Sequence, residues 1–173
     1  MLIRGKVYKF ASNINTDVIY PGKYLSITTD REEMAKHCFE AAYPEFLENA
    51  KKGDIIVSGK NFGCGSSREQ AATCLKYFGI GAVVAESFAR IFYRNAINLA
   101  LPVIIAPGIS QKIEHNDTIE INLETGIIKN MRTTEIIKAN RLPPFILKII
   151  NDGGLIPYLK KKLKNSNIIR RIQ

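Results

Sequence analysis

The 173-residue chain is 46% hydrophobic and 24% charged, enough for one domain with a buried core, and no apolar run approaches the roughly 20 residues that span a bilayer. Its net charge of +9 suggests nucleic acid only until it is located: residues 160–173 hold Lys160, Lys161, Lys162, Lys164, Arg170 and Arg171 with no acid, which leaves a body of about +3 and a solvated basic end. Cys38, Cys64 and Cys74 are too few and too far apart for a disulfide framework or a self-contained metal site, and Met-Leu-Ile-Arg-Gly-Lys leads into no signal-peptide core, so the expected location is the cytoplasm.

Val7 to Phe10 can form an opening strand, followed by the polar turn Ser12-Asn13-Ile14-Asn15-Thr16-Asp17, whose short side chains bond their own backbone. Pro21 and Gly22 then punctuate an extended or looped segment through Tyr24, Leu25, Ser26 and Ile27. Thr29 with Glu32 has the spacing of a capping box, which predicts a helix running to about Phe39 or Ala42. His37 beside Cys38 could be imagined as a ligand pair. Adjacent residues on a helix point in different directions, so a structural role is favoured.

Asp54 to Ser58 reads as a short buried strand, Gln70 to Phe78 as a helix, and Ala82 to Ala85 as a second buried strand, a β-α-β unit. Ser87 is positioned to cap a helix through Asn98, with Phe88, Ile91, Phe92 and Asn95 on one face and Arg90 and Arg94 on another. Pro102 ends it, and Val103 to Ala106 is a third buried strand. Ile119, Ile121 and Leu123 alternate with polar residues and turn through Glu124-Thr125-Gly126 into Ile127-Ile128, an antiparallel pair with one wet face. Pro143-Pro144 opens a C-terminal helical pair broken at Gly153-Gly154.

Chemistry concentrates at residues 59–69, Gly-Lys-Asn-Phe-Gly-Cys-Gly-Ser-Ser-Arg-Glu, between a strand and a helix start. First-turn N–H groups lack intrahelical partners and carry partial positive charge, and Arg68 adds a planar fork, so the turn suits a carboxylate or phosphate. Ser66 and Glu69 also satisfy a capping box, which requires no function. That box explains neither Gly63-x-Gly65 nor a cation in the first turn, where the helix dipole disfavours it. The dinucleotide fingerprint would need glycine in place of Arg68, and the P-loop would need Lys-Ser or Lys-Thr after its last glycine; both are absent.

Gly63-Cys64-Gly65-Ser66-Ser67-Arg68-Glu69-Gln70-Ala71, with Asn15-Thr16-Asp17-Val18-Ile19-Tyr20-Pro21 before it and Ser87-Phe88-Ala89-Arg90-Ile91-Phe92-Tyr93-Arg94-Asn95 after it, resembles the small subunits of 3-isopropylmalate dehydratases, in the archaeal-type branch of the aconitase-related family. The resemblance spans nearly the whole chain and takes in Gly153-Gly154-Leu155-Ile156-Pro157-Tyr158-Leu159. It implies a single α/β domain over residues 1–163, of the aconitase swivelling-domain β/β/α fold, with residues 164–173 a basic tail that has no family counterpart.

It also implies a hydro-lyase subunit that binds no cofactor itself and works with a large subunit carrying a [4Fe-4S] cluster, converting 2-isopropylmalate to 3-isopropylmalate in leucine biosynthesis. By position, Ser66 would be the general base, Ser67 and Arg68 would hold a substrate carboxylate, and Asp17 with Thr16 would lie beside the cluster-facing end of the pocket. Tyr24, Leu25, Ser26 and Ile27 would set specificity, since homoaconitase-like relatives place an arginine where this chain has Ser26; Tyr24 and Leu25 also fit as core anchors. The family usually has glycine at the position of Ala100, so the helix end there is expected to lack a left-handed cap. Sister dehydratases acting on citramalate, 2,3-dimethylmalate or homoaconitate-type acids are the alternative within the class, and a nucleic-acid-binding regulator using the basic tail is the alternative outside it.

Overall fold

The computed structural model describes residues 1–165, so the basic tail lies outside the described residues from Ser166 onward. In chain order the elements are β1 (Leu2–Phe10), α1 (Thr16–Ile19), a 3-10 turn (Gly22–Tyr24), α2 (Arg31–Ala35), α3 (Pro44–Asn49), β2 (Ile55–Ser58), α4 (Glu69–Phe78), β3 (Ala82–Ala85) and α5 (Arg90–Asn98). There follow β4 (Val103–Ile105), α6 (Ile109–Lys112), β5 (Thr118–Asn122), β6 (Ile127–Asn130), β7 (Ile136–Lys138), α7 (Pro144–Asn151) and α8 (Leu155–Asn165).

One sheet runs β4-β3-β2-β1-β5-β6-β7. Its strands β1 to β4 are parallel to one another, while β5, β6 and β7 continue from β1 in antiparallel pairs. The burial patterns separate the two halves as physics requires. Strands β2 and β3 are buried at every residue, as parallel strands are when both faces are covered, whereas β5 alternates half-buried and buried. The opening strand is longer than its apolar run suggests, because its first residues are held by hydrogen bonds to β5 rather than by burial: Leu2 is 59% exposed yet pairs with Asn122.

Strand β1 changes partners at Val7. Lys6 is its last residue paired with β5 and Val7 its first paired with β2. The changeover is secured by Asp117, whose carbonyl accepts the Val7 N–H at 2.8 Å. The Asp117 carboxylate, 3% exposed, accepts hydrogen bonds from Arg132 Nε at 2.5 Å, Asn130 Nδ2 at 2.7 Å and the Glu114 N–H at 3.0 Å. The Arg132 hydrogen bond, with help from the others, holds its carboxyl down to about 2.

Several local expectations yield to tertiary structure. The cap of α2 is Asp30 rather than Thr29: its carboxylate accepts the Glu33 N–H at 2.8 Å, and the helix ends at Ala35. Phe39 stops any continuation, since it takes a φ of 59° and is fully buried, stacked on Phe10 with ring centroids 4.5 Å apart. Burial of a large ring outweighs a local helical preference worth a few tenths of a kcal/mol per residue. Helix α5 is not capped by Ser87 but starts one residue after Ala89, and Ile91, expected on its inner face, is 49% exposed. Its far end does have the left-handed cap: Ala100 adopts φ 56°, with Ala100 N–H bonded to Ile97 C=O at 3.0 Å and Leu101 N–H to Ala96 C=O at 2.9 Å, the Schellman pattern without its glycine. The Lys76 ammonium donates to the Ala100 carbonyl at 2.8 Å, which ties α4 to the end of α5. Helix α3 and strand β7 carry too short a pattern to be read in sequence.

Replacing Asp117 by alanine should destabilise the fold by about 2 kcal/mol, because Asn130 and the Glu114 N–H lose their acceptor. A carboxyl whose folded pKa is depressed stabilises above its unfolded value and loses that contribution as pH falls through the folded one. Wild-type stability should therefore drop more steeply than that of Asp117→Ala between the ordinary 3.8 and about 2 in urea titrations, and parallel curves would refute the assignment.

Candidate functional site

Three segments distant in sequence converge at the carboxyl ends of β2 and β3. The glycine-rich turn after β2 lies between the polar turn after β1 and the loop after β3. On one side Asn13 N–H donates to Lys60 C=O at 2.8 Å, Gly63 N–H to Ile14 C=O at 2.7 Å, and Thr16 N–H to Cys64 C=O at 2.8 Å. On the other, Phe62 N–H donates to Ser87 C=O at 3.0 Å and Ala89 N–H to Phe62 C=O at 2.9 Å. The Ser87 hydroxyl oxygen, expected as a helix cap, instead accepts the Asn61 N–H at 2.9 Å.

The close packing explains Gly63. Its φ is 75°, and a Cβ there would fall 2.2 Å from the Phe92 ring, with no room for relaxation inside a buried aromatic group. The ring of Phe92 in turn meets Phe62 edge-on at 5.2 Å and stacks parallel to Phe88, so α5 presses the turn into shape.

Ser66 is not a cap. Its carbonyl accepts the Arg68 N–H at 2.8 Å and the Thr16 hydroxyl at 3.0 Å, so the chain is still turning there. The residue flanking α4 is Arg68, at φ −76° and ψ 113°, and it makes no side-chain cap. Glu69 is the first helical residue, where its negative charge suits the dipole. The hydroxyls of Ser66 and Ser67 are exposed and make no hydrogen bond among the described residues. Both are thus free for an incoming molecule, beside the uncapped N–H groups of a ten-residue helix.

Arg68 and Asp17 are brought together as an ion pair. Asp17 stands in the first turn of α1, which Asn15 caps by accepting the Val18 N–H at 2.9 Å. The Arg68 guanidinium is mostly buried against Gly22, where an added Cβ would lie 3.3 Å from Nη1, and it pairs with the Asp17 carboxylate. A planar guanidinium fork can grip a carboxylate through two hydrogen bonds. Thr16 is 2% exposed and serves the turn through the Ser66 carbonyl.

The segment expected to govern specificity divides in two. Tyr24 and Leu25 pack against the core; the Tyr24 hydroxyl donates to Glu40 at 2.8 Å, and the ring stacks on His37 at 3.7 Å. His37 is itself 2.8 Å from the other Glu40 oxygen. These bonds, that of Tyr24 foremost, hold the Glu40 carboxyl below its usual value. Ser26 and Ile27 point outward, Ile27 being 69% exposed, and the nearby Lys23 is turned to Glu40 and the Tyr24 ring. Glu86 was invisible as a site neighbour in sequence; it directly follows β3, its N–H donates to the Gly59 carbonyl at 3.1 Å, and its carboxylate accepts a hydrogen bond from the Ser110 hydroxyl. Cys38 and Cys74 are buried away from the turn, burial pushing the Cys38 thiol well up, and Cys64 is half-buried within it.

The family described as the aconitase C-terminal domain matches residues 4–107. The isopropylmalate/citramalate isomerase small subunit of Methanocaldococcus jannaschii is 54% identical over 165 residues, 95% of this chain and 98% of that one. The 3-isopropylmalate dehydratase small subunit of Aquifex aeolicus is 51% identical over 164 residues, 94% of this chain and 97% of that one. A crystal structure of 3-isopropylmalate dehydratase from Methanocaldococcus jannaschii superposes with a TM-score of 0.90 at 47% identity, covering 96% of this chain and 99% of that one.

Thr16→Val should cost about 1 kcal/mol, since it leaves the buried side of the Ser66 carbonyl without its side-chain donor. Amide exchange at residues 64–68 should accelerate more than elsewhere; uniform acceleration over the whole chain would show that the bond does not hold the turn.

Proposed function

The chain belongs to the aconitase C-terminal domain family, and on that premise we propose that it is the small subunit of a 3-isopropylmalate dehydratase, a hydro-lyase of leucine biosynthesis completed by a large subunit. The observation that carries the reading is the pair of uncommitted hydroxyls, Ser66 and Ser67, set between the open N-terminus of α4 and the Arg68–Asp17 pair.

The reading assigns a [4Fe-4S] cluster to the large subunit, where it would supply a Lewis acid for the hydroxyl that leaves. This chain's part is the proton. Ser66, as alkoxide, takes the hydrogen from the carbon next to a substrate carboxylate; the electron pair of that C–H bond becomes the new C=C bond, and the C–O bond breaks on the neighbouring carbon. Rehydration reverses these steps with hydroxyl and hydrogen exchanged between the two carbons. A serine hydroxyl is a very weak acid, so its alkoxide needs positive surroundings without water. Helix-start N–H groups and Arg68 supply the first condition. The second requires a cover, because Ser66 is exposed in the chain alone.

Arg68 and Ser67 hold the carboxylate adjacent to the reacting carbon, with Asp17 steering the guanidinium. Ser26 and Ile27 face the substrate's alkyl end, with no cation there to favour a third carboxylate. The M. jannaschii relative's name couples isopropylmalate with citramalate, which differ in the size of that alkyl group, so citramalate is the natural second substrate. Among the described residues no helix is long and apolar enough to cross a membrane, and a cytoplasmic location accords with the biosynthetic role.

Mixing the chain with a cluster-loaded large subunit should give isopropylmalate isomerisation that neither gives alone. Ser66→Ala should lower kcat by about 10³-fold or more while association is unchanged, and Arg68→Gln should raise KM by at least about tenfold through loss of the bidentate grip. A Ser66→Ala enzyme as fast as wild type would eliminate the base assignment.

A further inference from the structure

The outward side of α5 has a pattern that neither the fold nor the catalytic reading uses. Phe92, Ala96 and Ile97 fill the core from its inner side. On the outer side Arg90, Arg94 and Asn98 follow one another at one-turn spacing, all exposed, with Ile91 49% exposed beside them. Neither arginine makes an ion pair or a side-chain hydrogen bond among the described residues. Arg90 occupies the first turn, where the dipole opposes cations and no acid offsets it, and Arg94 follows one turn later. For the isolated chain this arrangement is a cost.

The face is placed at the catalytic rim. The hydrogen bond from Ala89 N–H to the Phe62 carbonyl fixes the start of α5 against the glycine-rich turn. Between α4, α5 and the start of α2 opens a cavity of about 280 Å³, lined by Arg31, Glu69, Gln70, Asn95 and Asn98 among others. Something docked over Ser66 would therefore also meet Arg90, Ile91 and Arg94.

The acids that would neutralise this face do not come from the chain itself. Residues 160–173 contain cations and no acid, and a second copy would bring a further net charge of +9. We infer that Arg90, Ile91 and Arg94 form a docking surface for an acidic patch on the large subunit, with the cavity between α4 and α5 receiving polar groups at its edge. The inference rests on the subunit reading above. The arginines would add to the rate of encounter and to register, while Ile91 supplies apolar contact between them. Because the start of α5 is bonded to the turn that carries Ser66, a partner seated on both makes the docking contact and the closing of the active site one event.

The test is a titration of the full chain against purified, cluster-loaded large subunit, with Kd read at about 0.1 M salt and turnover read at saturation. Arg90→Glu with Arg94→Glu should weaken association at least tenfold, flatten its salt dependence, and leave kcat at saturation within about twofold. The milder pair Arg90→Gln with Arg94→Gln should fall between, and it decides the matter should the reversed pair fail to fold. Lys129→Glu with Lys138→Glu, exposed on β6 and β7 in the other half of the sheet, changes net charge equally and should leave Kd unchanged. An unchanged Kd for the α5 variants, or an equal loss in the Lys129 and Lys138 control, overturns the inference. A raised KM at unchanged Kd would assign the arginines to substrate, and RNA binding lost only in the α5 variants would assign them to nucleic acid; either result overturns it too. Absence of any complex or turnover from the wild-type pair would instead sink the subunit reading itself.

Discussion

The frame of the site is laid by backbone hydrogen bonds, which the Thr16 and Ser87 hydroxyls supplement. The Ile14 carbonyl accepts the Gly63 N–H at 2.7 Å and also lies 3.3 Å from the Cys64 nitrogen, so the polar turn and the glycine-rich turn are fastened to each other through main-chain atoms. This is possible only because Gly63 has no side chain where Phe92 stands. Ser66, Arg68, Asp17 and Thr16 then take their places by covalent connection to a fixed frame. Backbone bonds tolerate many side chains around them, so such a frame can hold one chemistry while neighbouring loops vary.

Much of this was legible because the relevant signals are local. The buried runs at Ile55–Ser58 and Ala82–Ala85, the turn between β2 and α4, and the alternation at Ile119, Ile121 and Leu123 each declare an element without reference to the rest. The misreadings have a common cause. Ser66, Ser87 and Thr29 all have the composition of helix caps, and none caps its helix; Ser87 bonds Asn61, while Asp30 does the capping expected of Thr29. A hydroxyl near a helix start has several possible partners, and only the tertiary arrangement selects one. Ala100 shows the converse: the sequence lacks glycine, yet the chain adopts the left-handed cap because Lys76 and two backbone bonds outweigh the steric cost of one methyl group.

The pairing of Arg68 with Asp17 lay beyond sequence reasoning, although both residues had been singled out. Fifty-one positions separate them, and only the ladder between residues 13–16 and 60–64 brings them into contact. Their pairing fixes the direction of the guanidinium beside the glycine-rich turn.

The dual allegiance of β1 bears on how the protein is made. Its first residues pair with Thr118–Asn122 and its last with Ile55–Ser58, so a segment synthesised before both partners waits longest for the one that completes its edge. The family match, residues 4–107, ends before β5. A chain stopped there would keep the parallel strands and the glycine-rich turn but would present Leu2–Lys6 as a bare edge of unpaired N–H and C=O groups, open to any other extended strand. The meander of β5, β6 and β7, remote from the glycine-rich turn, thus acts as the cover that keeps the folded chain from pairing with its neighbours.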